Sequence, residues 1–391
     1  MVQAAAKERI SLTDESFNFT NTCKDIRSRG FYPQRPLTKS EADFPLAFAS
    51  IVYMDYIQIE MMFRVIYAPQ NSYCYVLDSK ASPIFKKRMR NLADCFSNVV
   101  VPKEEFSVES NGKNTSNAHL ACMKALQKLK WKYVMLFQNH DVPLRTNAEL
   151  VEIFKIFNGS NDVSTFTPSG GTLNNNANRT FAALHLYRNE SINQIREDGK
   201  LLELVPTKSL IGVALSYAMV DFLLNELNVT GFAQQLEQGV NYGMDENFLS
   251  TLNSNDVLGA PGGFTRACLE RGFSVGAISR FVVWSWESGC SSRHYRHNVC
   301  IFGVEDLLML TKQKMLFANK MMLSFDFGAI TCWLEHIYNR TYSGHMHPST
   351  LDTNFYKQLP VVRYGQLKAR LNAGERVNFY TFNCSQSFKN S

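Results

Sequence analysis

Residues 45–54, PLAFASIVYM, form a near-continuous apolar run of strand length, and the same signal returns at 73–78 (YCYVLD), 98–101 (NVVV) and 132–137 (KYVMLF). Segments 57–67, 83–94 and 115–130, which lie between these runs, carry apolar residues at helical spacing. Strands covered on both faces read as such runs, so the alternation predicts an α/β fold, a parallel sheet wrapped by helices. In sheets of this kind ligands bind beyond the carboxyl ends of the strands. That places Asp78 and the loop QNHDVP at 138–143, with Asp141, at the candidate site.

The chain has 391 residues, 45% of them hydrophobic, enough for a substantial core in one large domain or two ordinary ones. Its net charge of +6 comes from 41 cations and 35 anions without long runs of one sign. Such a balance favours a small anionic ligand and argues against nucleic acid, which wants a basic stripe. No glycine fingerprint follows the first strand and no G-x-x-x-x-G-K-[ST] is present, which leaves a dinucleotide oxidoreductase or a P-loop enzyme without support. The nine cysteines include no C-x-x-C and no Cys/His pair at zinc-finger spacing, so a zinc site is disfavoured.

Residues 281–320 concentrate the candidate chemistry. They hold Trp284 and Trp286, a Gly/Ser-rich loop between Cys290 and Cys300, the cations Arg293, His294, Arg296 and His297, and Lys320. Aromatic faces stack on the C–H surfaces of sugars, and clustered cations suit phosphate. One segment thus offers both halves of a nucleotide-sugar site; the plainer alternative is core tryptophans, a loop staple and a solvated cationic rim. A nucleotide-sugar transferase must stabilise a departing diphosphate with a metal held by Asp-x-Asp or with protein cations. The chain contains no Asp-x-Asp, so the expectation is a metal-independent site with Lys320 and a cation from 293–297 on the phosphates. An acceptor hydroxyl also needs a base, which Glu246 or Asp245 of MDENF can supply; capping of a helix start is the competing role for that acidic pair.

With the motifs PLAFASIV, IYAPQNSYCYVLDSKA, LADCFSNVVV, LACMKAL, WKYVMLFQNHDVPLRTNAELV, MDENF, RFVVWSW, NVCIFGVEDL and LFANK in this order, the chain resembles the core-2/I-branching β-1,6-N-acetylglucosaminyltransferases (glycosyltransferase family 14). This group also holds the peptide O-xylosyltransferases, and the similarity runs from about Cys23 to about His336. The resemblance implies a disulfide-stabilised, GT-A-like Rossmann-type fold and a type II Golgi membrane protein. It further implies inverting transfer of N-acetylglucosamine from a UDP-sugar donor to an O-glycan acceptor, without metal or other cofactor. Carried over by position, the base falls on Glu246, the uridine-contacting aspartate on Asp78 and the phosphate lysine on Lys320. The phosphate arginine falls on Arg296 or, aligned strictly on Cys300, on His297. Trp284 and Trp286 correspond to the acceptor-lining aromatic pair. The implied disulfides are Cys23 with Cys95, Cys74 with Cys122, and Cys290 with Cys300. Cys332 matches a cysteine whose family partner lies upstream, leaving Cys384 or Cys268 as a substitute. The chain departs from the family at Tyr53-Met54, where a histidine is expected, at SNGKN (110–114), which replaces an aromatic-bearing loop, and at TPSGGTLNNNANR, which lacks the family's charged acceptor residues. UDP-glucose as donor, or a catalytically silent glycan-binding protein, remain the alternative readings.

Asn-x-Ser/Thr acceptors occur at Asn18, Asn114, Asn158, Asn178, Asn189, Asn228, Asn339 and Asn383, which together favour the secretory pathway. The first residues lack an apolar h-region, so the sequence reads as the lumenal part of a Golgi protein, with the anchor outside it. The expected division is a stem over 1–43, a catalytic domain over 44–343 and a tail over 344–391. The polar stretch 158–182 is expected to be a surface insertion or a flexible loop.

Overall fold

The structure is a computed structural model that describes residues 9–17, 19–168, 171–342 and 351–385. It divides into two compact units, Met1–Glu105 with Phe137–Glu152 and Ile278–Leu351, and Phe106–Leu136 with Ile153–Ala277 and Asp352–Ser391.

In the first unit, strands β1 (Leu46–Val52) and β2 (Ser72–Leu77) are buried at every residue and run parallel, from Ala47 opposite Ser72 to Val52 opposite Leu77. The short β3 (Val99–Val100) continues the parallel order beside β2. Helix α2 (Tyr56–Ile66) crosses from β1 to β2, and α3 (Pro83–Cys95) from β2 to β3. The start of α3 is encoded locally: the Ser82 side chain accepts from the Phe85 N–H, and Pro83 stands in the first turn, where no amide hydrogen is needed. Phe85, Met89 and Leu92 form its buried stripe at helical spacing.

The segment expected as a stem is part of this unit. Helix α1 (Cys23–Ser28) is tied to α3 by the Cys23–Cys95 disulfide, and Arg29 pairs with Glu60 of α2 at 2.7 Å. The Asp14 carboxylate accepts the Tyr56 and Ile57 amides at 2.9 and 3.1 Å, and so satisfies donors that the first turn of α2 leaves open. Polar residues of this segment such as Asp14 and Arg29 thus serve capping and ion pairing.

A second, three-stranded sheet in this unit has β8 (Phe317–Asn319) at its centre. It pairs antiparallel with β4 (Asp141–Pro143) and parallel with β5 (Arg280–Phe281). The hairpin of β6 (Tyr295–Arg296) and β7 (Val299–Cys300) is closed by the Cys290–Cys300 disulfide. Helix α4 (Phe327–Tyr342) packs Trp333 inward, its indole N–H donating to the Pro143 carbonyl at 2.8 Å.

In the second unit, residues 133–136 of the strand Tyr133–Gln138 pair antiparallel with Val213–Ser216, from Tyr133 opposite Ser216 to Leu136 opposite Val213. The all-parallel expectation therefore fails at this pair; apolar composition fixes which segments are buried strands but not their direction. Gly171, Asn175, Asn176 and Asn178 are exposed, and the expectation for 158–182 is corrected only over 160–165, where Ser160, Asn161, Asp162, Val163, Ser164 and Thr165 are all buried. Their polar groups are used as interior hydrogen bonds: the Asn161 amide donates to Asn253 Oδ1 at 3.0 Å, and Asn161 Oδ1 accepts the Ser216 N–H at 2.9 Å. The segment expected as a tail carries the helices Thr353–Lys357 and Pro360–Asn372 and is fastened by a Cys268–Cys384 disulfide. The two substitutes considered for Cys332 are thus bonded to each other, and Cys332 is an exposed free thiol on α4. Cys74 and Cys122 are both disulfide-bonded.

Of the sequons, Asn158, Asn178, Asn189, Asn339 and Asn383 are exposed, whereas Asn114 and Asn228 are half-buried. The Asn114 amide donates to the Ser107 carbonyl at 2.9 Å. Asn18 lies outside the described residues.

Candidate active site

The donor-side candidates belong to the first unit, at the ends of β1, β2 and β8 and on the β6–β7 hairpin. Asp78 follows the last residue of β2. Its N–H donates to the Val52 carbonyl at 3.0 Å, its Oδ1 accepts the Lys80 N–H at 2.8 Å, and it is buried. A fixed carboxylate at the carboxyl end of a parallel strand is an acceptor suited to an imide N–H or a sugar hydroxyl. Tyr53 follows β1, where its amide and that of Met54 donate to Asn139 Oδ1 at 2.8 and 3.3 Å. The Tyr53 phenol lies beside the Arg296 guanidinium. Burial pushes its pKa up, Arg296 opposes the rise, and the nearby carboxylates of Asp55 and Asp78 add to it. The ends of β1 and β2 and the β6–β7 hairpin therefore meet at one place.

Lys320 follows β8. Burial, reinforced by the charges of Arg296 and Arg280, lowers its pKa from 10.5 to about 8, with Asp141 acting in the opposite sense. Asp141 is fully buried and holds Arg280 as an ion pair; it also accepts from the Asn319 amide at 3.0 Å. Since Asp141 is committed to Arg280, the charge presented by Lys320 and Arg296 is net positive, and a diphosphate would relieve their repulsion. His297 is exposed on the same hairpin. Desolvation, then the charges of Lys320 and Arg296, lower its pKa and so disfavour its charged form. Of the two alternatives for a phosphate cation, Arg296 offers the planar guanidinium fork that matches phosphate oxygens.

Trp284 and Trp286 belong to this unit as well. Their rings stack with centroids 5.0 Å apart and planes 7° from parallel, and Trp286 is 70% exposed. A solvent-facing indole pair is unfavourable in water unless a ligand covers it, and it presents the flat apolar face that a pyranose ring stacks on.

Glu246 and Asp245 lie in the second unit, on the turn before the buried helix Phe248–Ser254. The turn is pinned from two sides: the Ser209 N–H donates to the Glu246 carbonyl at 2.7 Å, and the Gly243 and Met244 amides donate to the Asn111 carbonyl at 2.8 and 3.2 Å. The loop 110–114, where the chain departs from the family, is thus a support for this turn. Gly112, at φ +98°, is required there, since a Cβ would come within 2.2 Å of the Asp245 carboxylate. Glu246 Oε2 lies 2.9 Å from the Lys208 ammonium, and the two side chains are 12% and 24% exposed. A carboxylate that is anchored yet reachable by solvent can accept a proton from a bound hydroxyl.

Sequence reasoning placed Asp78, Arg296, His297, Lys320 and the tryptophans, all of which the structure sets in one unit. It gave no role to Arg280, to the Asn139 bracket under Tyr53, or to Lys208. Asn139 and Arg280 stand inside motifs already quoted, but Lys208 sits in an unremarkable PTKSL segment with no pattern to mark it.

Residues 46–311 match the family model described as Core-2/I-Branching enzyme. Among curated proteins, the chain is 32% identical over 317 residues to human N-acetyllactosaminide beta-1,6-N-acetylglucosaminyl-transferase, covering 78% of this chain and 74% of that one. It is 28% identical over 342 residues to human beta-1,3-galactosyl-O-glycosyl-glycoprotein beta-1,6-N-acetylglucosaminyltransferase, covering 83% of this chain and 77% of the relative. The bovine herpesvirus 4 (strain LVR140) protein of that same description is 28% identical over 355 residues, with 86% and 78% covered.

Proposed function

The chain belongs to the Core-2/I-Branching enzyme family and is a glycosyltransferase of GT-A-like α/β fold, and from that premise we propose that it transfers N-acetylglucosamine from UDP-N-acetylglucosamine in β-1,6 linkage to a galactose or N-acetylgalactosamine of an O-glycan. The observation that carries the proposal is the net-positive pair Lys320 and Arg296, gathered with Asp78 in a chain that lacks Asp-x-Asp. In the proposed reaction Glu246 takes the proton of the primary 6-hydroxyl as that oxygen attacks C1 of the donor sugar. The bond from C1 to the β-phosphate oxygen breaks, the anomeric configuration inverts, and UDP leaves with the electron pair. Lys320 and Arg296 stabilise the charge that grows on the departing diphosphate, the task a divalent metal performs in other transferases. Asp78 accepts from the uridine, and the Trp284–Trp286 face supports the acceptor sugar. N-acetylglucosamine is preferred as donor sugar because the named relatives are N-acetylglucosaminyltransferases.

Exposed sequons and disulfides support a Golgi lumenal location. Among the described residues no helix is long and apolar enough to cross a membrane.

The test is to incubate the protein with UDP-N-acetylglucosamine and a β-1,3-galactosyl-N-acetylgalactosamine acceptor and to determine the product linkage by NMR. A single new β-1,6 N-acetylglucosamine is expected. Transfer from UDP-glucose alone, or an α-linked product, would overturn the assignment.

A further inference from the structure

Lys208 stands beside the proposed base, and its backbone is held as firmly as that of Glu246. Its N–H and carbonyl exchange hydrogen bonds with Phe166 at 2.9 Å each. On one side the Thr207 N–H donates to Thr251 Oγ1 at 3.0 Å and the Thr207 carbonyl accepts from Ser250 Oγ at 2.6 Å. On the other, the Ser209 N–H donates to the Glu246 carbonyl at 2.7 Å. The segment that carries Lys208 is therefore bolted to the helix Phe248–Ser254 and to the turn before it. Gly243, at φ +71°, completes the arrangement, because a Cβ there would come within 2.9 Å of Glu246 Oε2. The absence of a side chain lets the carboxylate lie back toward the turn.

A partly exposed ion pair contributes little to stability, so the 2.9 Å contact needs another account. We propose that Lys208 is a positioning residue for transfer: its ammonium holds Glu246 Oε2, fixes the carboxylate rotamer, and thereby presents Oε1 to the hydroxyl of the acceptor. This inference rests on Glu246 being the base. An ion pair of this length restricts where the carboxylate lies, whereas a solvated glutamate keeps three free torsions. In the reaction Oε1 takes the hydroxyl proton while Oε2 stays in the ion pair with Lys208, so the proton goes to one oxygen only. Lys208 itself neither gains nor loses a proton.

The experiment compares Lys208→Met, Lys208→Arg, Glu246→Gln and the double variant Lys208→Met/Glu246→Gln in the transfer assay. Lys208→Met should lower kcat by up to about 10²-fold, the cost of a reacting group misplaced by about an ångström, with KM for the UDP-sugar unchanged. Lys208→Arg should recover most of that loss, since a cation returns to the same carboxylate oxygen. The double variant should be no slower than Glu246→Gln alone, because the lysine acts only through the glutamate. Wild-type kcat in Lys208→Met, or losses that multiply in the double variant, would overturn the positioning role while leaving Glu246 as the base. Full activity in Glu246→Gln would instead overturn the base assignment, and the positioning role with it.

Discussion

Glu246→Gln should lower kcat by about 10²–10⁴-fold, the range lost when a general base is removed, and leave the protein folded. The amide has nearly the shape of the carboxylate, but it cannot take the proton of the acceptor hydroxyl. The turn that carries it is held by main-chain bonds from Ser209, Gly243 and Met244, none of which involves the side chain. The proposed donor residues Asp78, Arg296 and Lys320 belong to the other unit, so affinity for UDP should not change. Initial rates, a thermal melt and UDP titration on the same preparation separate these effects. A variant that keeps full rate would remove Glu246 from the mechanism.

Lys320→Ala should cost about 10²–10³-fold in kcat, comparable to deleting one preorganised donor from a site where negative charge develops. The substitution also removes the cation that presses on Arg296, so the folded protein should be no less stable. A pH profile supplies the second readout. With its pKa lowered to about 8, Lys320 is charged below that value and neutral above it. In the free enzyme, kcat/KM for the UDP-sugar should therefore fall as pH rises through about 8. Arginine stays protonated throughout, so Lys320→Arg should move that alkaline limb upward while losing part of the rate to altered geometry. An unchanged profile in the arginine variant would show that another group sets the limb.

Much of the fold was legible in the sequence because burial on both faces writes itself as uninterrupted apolar runs. Residues 46–52, 72–77 and 133–138 are strands, and α2 and α3 begin within a residue of their expected starts. Direction was not legible: nothing in VALS at 213–216 shows that it runs against Tyr133–Leu136, since both directions bury the same side chains. Polarity misled in two places for one reason. Asp14, Arg29 and Asn161 are polar because helix ends, carboxylates and interior amides need partners, and composition does not distinguish such partners from solvent-facing groups. The candidate site divides in the same manner. Asp78, Lys320 and the tryptophans stand in contiguous motifs, whereas the contact of Lys208 with Glu246 joins segments that only the fold brings together.

The central claim is a donor site that binds a diphosphate through protein cations. Titrating UDP into the protein by calorimetry, with and without EDTA, and repeating the titration on Lys320→Ala, tests it most directly. The account predicts saturable binding that EDTA leaves unchanged and that weakens in the lysine variant. Binding that EDTA abolishes and a divalent metal restores, with Lys320→Ala indistinguishable from the wild type, would contradict it.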